Sequence, residues 1–211
     1  MFRNRVDAGR QLAKRLEGDY RGTDAVVLAI PRGGVVVANE VARALDLKLD
    51  LIIPRKIGAP GNPELAIGAV AVGKAMINEP VVRELGIPES YIESETKKQL
   101  DEIARRRKLY LGNRSPISLK GRTAIVVDDG LATGYTALAA VDAVKQQNPR
   151  KTILAVPVAP TDTCERLEKE VDEIICLESH ELFFAVGQFY EEFSQTTDEE
   201  VIDILSCQDK S

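Results

Sequence analysis

The sequence predicts an α/β protein, a mainly parallel sheet with helices on both faces. Short apolar runs alternate along the chain with segments of helical periodicity, the order that βαβ units produce. The runs are also too uniformly apolar for a sheet with one wet face, so both faces are covered. The length of 211 residues, at about 150 residues per domain, fits one large domain with an appendage and is enough to bury a core.

Composition narrows the class. With 44% hydrophobic and 29% charged residues, the chain is neither disordered nor collagenous nor a disulfide scaffold. The net charge of −5 argues against a nucleic-acid partner. No apolar run approaches the roughly 20 residues of a membrane-spanning helix, so no membrane partner is expected. The opening MFRNRVDAGRQLAKRLEG has basic residues but no apolar stretch behind them, which reads as cytoplasmic. Cys164, Cys176 and Cys207 form no C-x-x-C pair, and His180 is the single histidine; no protein-held metal site is expected.

Taken in order, Ala25 to Ile30 reads as a strand, Pro31 to Gly34 as a turn and Val35 to Leu45 as a helix. Leu49 to Pro54 reads as a second strand. The stretch RKIGAPGNPEL from Arg55, crowded with glycine and proline, is expected to be a long mobile loop. Ala66 to Val72 and Ala75 to Ile77 follow as strands, and a charge-dense segment from Pro88 to Gly112 keeps the spacing of one long helix. Strands are predicted at Thr123 to Val127, Thr152 to Val158 and Glu173 to Leu177, with helices at Ala137 to Gln147 and Thr163 to Val171. Residues 1–178 form the core domain, with the long helix near 88–113, and 179–211 a C-terminal hood or tail packed on it. Within the tail, Thr197-Asp-Glu-Glu200 is a capping box that starts a last helix, docked through Val201, Ile202 and Leu205.

Ligands of such sheets sit beyond the carboxyl ends of the strands, which directs attention to the loops at Pro31, Arg55 and Asp128. The run AIVVDDGLATGYT, Ala124 to Thr136, ends a hydrophobic strand in two adjacent carboxylates and opens a helix with small and hydroxyl residues. The exposed N–H groups of that helix start, aided by its dipole, can hold a monophosphate. Asp128 and Asp129 repel one another unless a diol or a cation relieves them. Phosphate on one side and diol on the other describe a ribose 5-phosphate.

Through Ile125-Val-Val-Asp-Asp-Gly-Leu-Ala-Thr-Gly134 the sequence resembles the type I phosphoribosyltransferases, whose signature of apolar residues, two acids and a T-G turn binds phosphoribosyl pyrophosphate. Pro31-Arg32-Gly33-Gly34 is similar to the family's pyrophosphate loop, often carrying a cis peptide, and Arg55-Lys56 holds the position of its catalytic flexible loop. The resemblance implies that Arg32, Gly33 and Gly34 bind pyrophosphate, with Arg55 and Lys56 as the catalytic cations that close over it. It implies that Asp128 and Asp129 bind the ribose hydroxyls, and that Ala132, Thr133, Gly134, Tyr135 and Thr136 bind the 5-phosphate. Magnesium would enter on the pyrophosphate of the substrate. The implied reaction is transfer of the 5-phosphoribosyl group to a nitrogenous base in nucleotide salvage, through an oxocarbenium-like transition state that needs charge stabilisation more than a strong base. Glu64 is the one candidate base. The family also implies a homodimer.

Five aromatic residues, Phe183, Phe184, Phe189, Tyr190 and Phe193, crowd the tail. They either stack the acceptor base, with Phe183, Phe184, Phe189 and Tyr190 as the candidates, or pack the tail on the core. Ala132 stands where hypoxanthine-guanine members carry an acid, and L-A-T-G and Arg55-Lys56-x-Gly-x-Pro-Gly61 look instead like adenine and uracil members; the acceptor stays open. Two further motifs read as structural. Gly68 to Ala75 has Walker spacing without the closing hydroxyl and reads as strand and turn, and Arg105-Arg106-Arg107-Lys108 reads as a solvated helix face or dimer edge. The competing functions are a regulator that senses phosphoribosyl pyrophosphate or a nucleotide and, less well supported, a sugar-phosphate hydrolase.

Overall fold

The computed structural model describes residues 1–71 and 75–208. The elements run α1 (Arg5–Tyr20), β1 (Val26–Ala29), α2 (Gly33–Leu45), β2 (Lys48–Leu51), β3 (Arg55–Ala59), β4 (Asn62–Val70), β5 (Met76–Ile77), α3 (Glu79–Glu84) and α4 (Glu89–Leu111). They continue with β6 (Thr123–Val127), α5 (Tyr135–Lys145), β7 (Lys151–Pro160), α6 (Thr161–Glu168), β8 (Glu173–His180), a short 3-10 turn (Val186–Phe189) and α7 (Asp198–Gln208).

Five strands form a parallel sheet in the order β2-β1-β6-β7-β8. Successive side chains of a strand point to opposite faces, and the buried residues divide accordingly. Val27, Ala29, Ile125, Val127, Ile153 and Ala155 join the apolar cluster shared with α1, α2 and α7. Val26, Leu28, Ala124, Val126, Leu154 and Val156 join the cluster on the other face, roofed by Ala137, Ala140 and Val144 of α5 and Leu167 of α6. The α/β expectation therefore holds, with both faces dry. The chain runs from β1 outward to β2 and then returns to the other side of β1 as β6, so the β1–β6 junction is the topological switch point where such sheets open a crevice.

Helix α1 precedes the first strand. Asn4 caps it by accepting from the Asp7 amide at 3.0 Å, and Ala8, Leu12, Ala13, Leu16 and Tyr20 bury one face. Between β2 and β6 the chain inserts a second, antiparallel sheet in the order β3-β4-β5 together with α3 and α4. The segment expected to be a long mobile loop from Arg55 is instead the β3–β4 hairpin. Its punctuating residues serve the hairpin: Pro60 and Gly61 make the turn, and Gly58 sits at a register irregularity. The end of the predicted strand at Val72 and the turn residues Gly73 and Lys74 lie outside the described residues.

Helix α4 is fastened to the edge of the main sheet by Asp50, which is 3% exposed. Arg107 donates to both of its oxygens at 2.9 and 3.1 Å, and the amides of Leu51 and Ile117 donate at 2.8 Å each. A buried carboxylate paired and hydrogen-bonded in this way avoids the cost of an isolated buried charge. The capping box of α7 is present, with the Thr197 amide donating to Glu200 at 2.8 Å and the Glu200 amide to Thr197 Oγ1 at 3.2 Å. Val201 and Leu205 dock it in the core. Among the described residues no helix is long and apolar enough to cross a membrane.

Candidate functional site

The register of the main sheet sets the site. Ala29, the last residue of β1, lies opposite Leu51 on one side and Val127 on the other, so the loops leaving β1, β2 and β6 emerge at one level. The loop after β1 meets the acid pair after β6 directly. A Cβ on Gly33 would overlap Asp129 Oδ2, and one on Gly34 would lie 2.9 Å from Asp128 Cα and from the Val127 carbonyl oxygen. No side chain fits between these loops, which is the physical reason for the adjacent glycines. The Pro31–Arg32 peptide bond is cis.

The two acids differ in environment. Burial, and then the charge of Asp129, push the Asp128 carboxyl well above the usual carboxylate range; its Oδ1 accepts from the Asp129 amide at 2.8 Å. Asp129 is held by a residue that sequence reasoning missed. Arg5 of α1 donates from Nε to Asp129 Oδ2 at 2.6 Å, with the two side chains 11% and 15% exposed. The same guanidinium donates to the Ser194 carbonyl at 2.7 Å and lies 3.9 Å from the centre of the Phe193 ring. The sequence signals only the helix that carries Arg5, with Asn4 as a cap, Asp7 in the first turn and apolar residues at helical spacing behind it; nothing local marks Arg5 as the partner of Asp129.

Beyond the acids, Ala132 to Thr136 lead into α5. Gly134, at a left-handed φ of 72°, caps the helix without a side-chain hydrogen bond. The N–H groups of the first turn are therefore left without a capping side chain. Helix α6 ties the loop carbonyls back: Thr163 donates its hydroxyl to the Ala132 carbonyl at 3.0 Å, and Arg166 donates to the Thr133 carbonyl. The Arg166 guanidinium also sits over the exposed Tyr135 ring at 5.3 Å. Ala132, Thr133, Tyr135 and Thr136 are exposed.

The remaining candidates, Tyr190 apart, are dispersed. Arg32, at the start of α2, pairs with Asp198 of α7 at 3.6 Å. Arg55 opens β3 and donates to Gln99 of α4 at 3.0 Å, while Lys56 follows it on the hairpin and is exposed. The Glu64 side chain lies outside the described residues. Tyr190 donates its hydroxyl to the Asp129 carbonyl at 2.5 Å, and its ring packs with Phe2 and Phe193 at 5.4 and 5.0 Å between ring centres. Burial, and then the Asp129 charge, push its phenol up. Phe189 is buried between His180 and Phe183, and Phe184 is 89% exposed. The structure thus brings Gly33, Gly34, Asp128, Asp129 and Tyr190 together, turns the Arg32 side chain to Asp198, and leaves Phe184 in solvent.

A parallel sheet with an acid pair set on a glycine loop at its switch point, next to a helix start without a capping side chain, defines the class, an α/β protein whose loops after β1 and β6 converge on one site. Residues 2–193 match the phosphoribosyl transferase domain family, and the chain belongs to it. A protein of Mycobacterium tuberculosis (strain ATCC 25618 / H37Rv), provisionally named a phosphoribosyl transferase, is 45% identical over 97% of this chain. The match covers 46% of that protein, so the chain spans about half the length of the curated relatives it matches. The crystal structure of TT1426 from Thermus thermophilus shares 43% identity over 97% of each chain, with a TM-score of 0.85. The AQ2163 protein from Aquifex aeolicus, 15% identical over 83% of this chain and 74% of that one, with a TM-score of 0.52, shares the fold.

Proposed function

We propose that this chain transfers the 5-phosphoribosyl group of phosphoribosyl pyrophosphate to a nitrogenous base and releases pyrophosphate, a nucleotide-salvage reaction. The observation that carries the reading is the direct seating of Asp128 and Asp129 on Gly33 and Gly34, because a ribose 1-diphosphate must offer its diol and its diphosphate to adjoining groups. In this reading the acids take the ribose hydroxyls and the amides and guanidinium of Arg32-Gly33-Gly34 take the diphosphate. The helix start at Ala132 to Thr136 takes the 5-phosphate, and Arg55 and Lys56 on the hairpin supply further charge to the leaving group.

Magnesium suits this donor set. Among the described residues no group of three or more His, Cys, Asp or Glu side chains could cage a metal. Magnesium, however, is commonly held by one or two carboxylates together with substrate phosphates, and Asp128 and Asp129 border the diphosphate loop. When bound, it would neutralise charge on the departing diphosphate. The acceptor base would lie along the Tyr190 and Phe193 side of the acids, with residues 179–211 as its hood.

The test is pyrophosphate release from phosphoribosyl pyrophosphate with Mg2+, assayed separately with adenine, uracil, hypoxanthine, guanine, xanthine and orotate. Release that requires one base and disappears in the Asp128→Asn/Asp129→Asn variant supports the transferase and names its acceptor. Tight binding without turnover for any base would favour the sensing role.

A further inference from the structure

Helix α6 stands outside the loops assigned to the substrate, yet it is built against one of them. It follows β7 directly, so its first turn emerges at the carboxyl end of the main sheet. Leu167, fully buried in the cluster under α5, fixes it there. Arg166 and Leu167 lie three and four positions after Thr163, the spacing that gathers side chains on one face of a helix. That face packs on Gly134, where a Cβ would lie 2.8 Å from Thr163 Cγ2, 3.0 Å from Leu167 Cδ1 and 3.2 Å from Arg166 Nη2.

We propose that Thr163 and Arg166 are positioning residues that aim the Thr133 and Gly134 amides at a phosphoryl group. In a planar trans peptide the C=O and the N–H point opposite ways. Among the described residues the one cis bond is Pro31–Arg32, so the two peptides flanking Thr133 are trans. Thr163 draws the Ala132 carbonyl toward α6 by donating its hydroxyl at 3.0 Å, which turns the Thr133 N–H away from α6. Arg166 donates to the Thr133 carbonyl and so turns the Gly134 N–H away in the same manner. The loop is pinned at its other end, where the Leu131 amide donates to the Val158 carbonyl at 2.9 Å. Among the described residues no acceptor takes the Thr133 or the Gly134 amide, and a backbone donor has to be met by something. A helical threonine can spend its hydroxyl on its own helix; this one, 4% exposed, reaches across 31 positions of chain instead. The Arg166 guanidinium also lies 5.3 Å from the centre of the Tyr135 ring, so it grips the chain on both sides of Gly134. Donors turned toward a ligand before it arrives cost less to order when it binds.

The inference rests on the transferase reading, which puts the 5-phosphate at this loop, and binding measured without turnover separates the two. Ribose 5-phosphate and inorganic pyrophosphate are titrated by calorimetry into the whole chain with Mg2+ present. Thr163→Val removes the donor and keeps the side-chain shape and charge; it should weaken ribose 5-phosphate binding by about five- to tenfold. Thr163→Ser, which keeps the hydroxyl, should stay within about twofold of wild type. Arg166→Gln should weaken ribose 5-phosphate to a similar degree, and Arg166→Lys should recover part of the loss. Pyrophosphate binding should be the same in all four variants, a selectivity that general loosening of the fold would not give. Because Thr163 is neutral and its hydroxyl is engaged with a carbonyl, its effect is not a lost ligand charge. Unchanged ribose 5-phosphate affinity in Thr163→Val and Arg166→Gln, or pyrophosphate binding lost in step with it, would overturn the positioning role and leave the transferase reading in place. A wild-type chain that does not bind ribose 5-phosphate would overturn that reading, and the inference with it.

Discussion

Replacing Arg5 by methionine tests how the N-terminal helix controls the acid pair. Methionine keeps an aliphatic stem against Phe193 and removes the charge, leaving Asp129 beside Asp128 without its cation. Breaking a buried ion pair by deleting one partner costs about 3–5 kcal/mol. The Arg5 and Asp129 side chains are 11% and 15% exposed, so a figure just below that range, about 2 kcal/mol after partial solvent screening, is appropriate. Loss of the stacked guanidinium over Phe193 at 3.9 Å adds about 1 kcal/mol. A total of about 3 kcal/mol lowers Tm by roughly 6–12 °C in a domain of this size.

The deficit should also depend on pH, with a definite sign. Arg5 is among the groups that lower the Asp128 pKa. Without it, the folded chain holds the Asp128 proton to higher pH than the unfolded chain does, and stability falls with rising pH over a wider window. The gap between wild type and Arg5→Met should therefore be smallest near the ordinary carboxylate pKa of about 4 and grow toward neutrality. Differential scanning calorimetry across that range measures both quantities. A Tm change below about 2 °C, or a gap that shrinks as the pH rises, would show that Arg5 is an incidental neighbour of Asp129.

Asp128→Asn should raise Tm at neutral pH while abolishing ribose 5-phosphate binding, because the wild-type carboxyl is raised by burial and its stability cost appears as pH climbs above about 4; thermal shift and calorimetry on the same sample check both halves. Gly34→Ala places a methyl 2.9 Å from the Asp128 and Val127 backbone, neither of which is the flexible end of a side chain, and should cost about 1–3 kcal/mol in denaturant unfolding. Leu205, 1% exposed, holds α7 to the core; Leu205→Ala should cost about 2–5 kcal/mol and speed amide exchange through α7 before the main sheet. Asp129→Asn should leave the circular dichroism spectrum unchanged and weaken ribose 5-phosphate binding, and an unfolded variant would mark Asp129 as a structural acid.

Local chemistry made much of the site legible. The apolar strand ending in Asp128-Asp129, the small residues through Gly134 and the Pro31-Arg32-Gly33-Gly34 turn each carry their reason within a few residues: helix capping, backbone access and turn geometry. The capping box at Thr197 and Glu200 was readable on the same ground. The segment from Arg55 was misjudged because glycine and proline punctuate loops and hairpins alike. Only pairing of Arg55–Ala59 with Asn62–Val70 distinguishes them, and pairing is not a property of either stretch alone.

The sequence by itself determined the fold class, the strands of the main sheet and the loops that follow β1 and β6, because hydrophobic period, turns and caps are local rules. Tertiary structure alone decided which charges meet. Arg5 reaches Asp129 across 124 positions of chain, and Arg107 reaches Asp50 across 57. A surface arginine and a site arginine have the same local signature. They are separated only by what the folded chain places opposite them, since the energy of a charge depends on its surroundings rather than its neighbours in sequence.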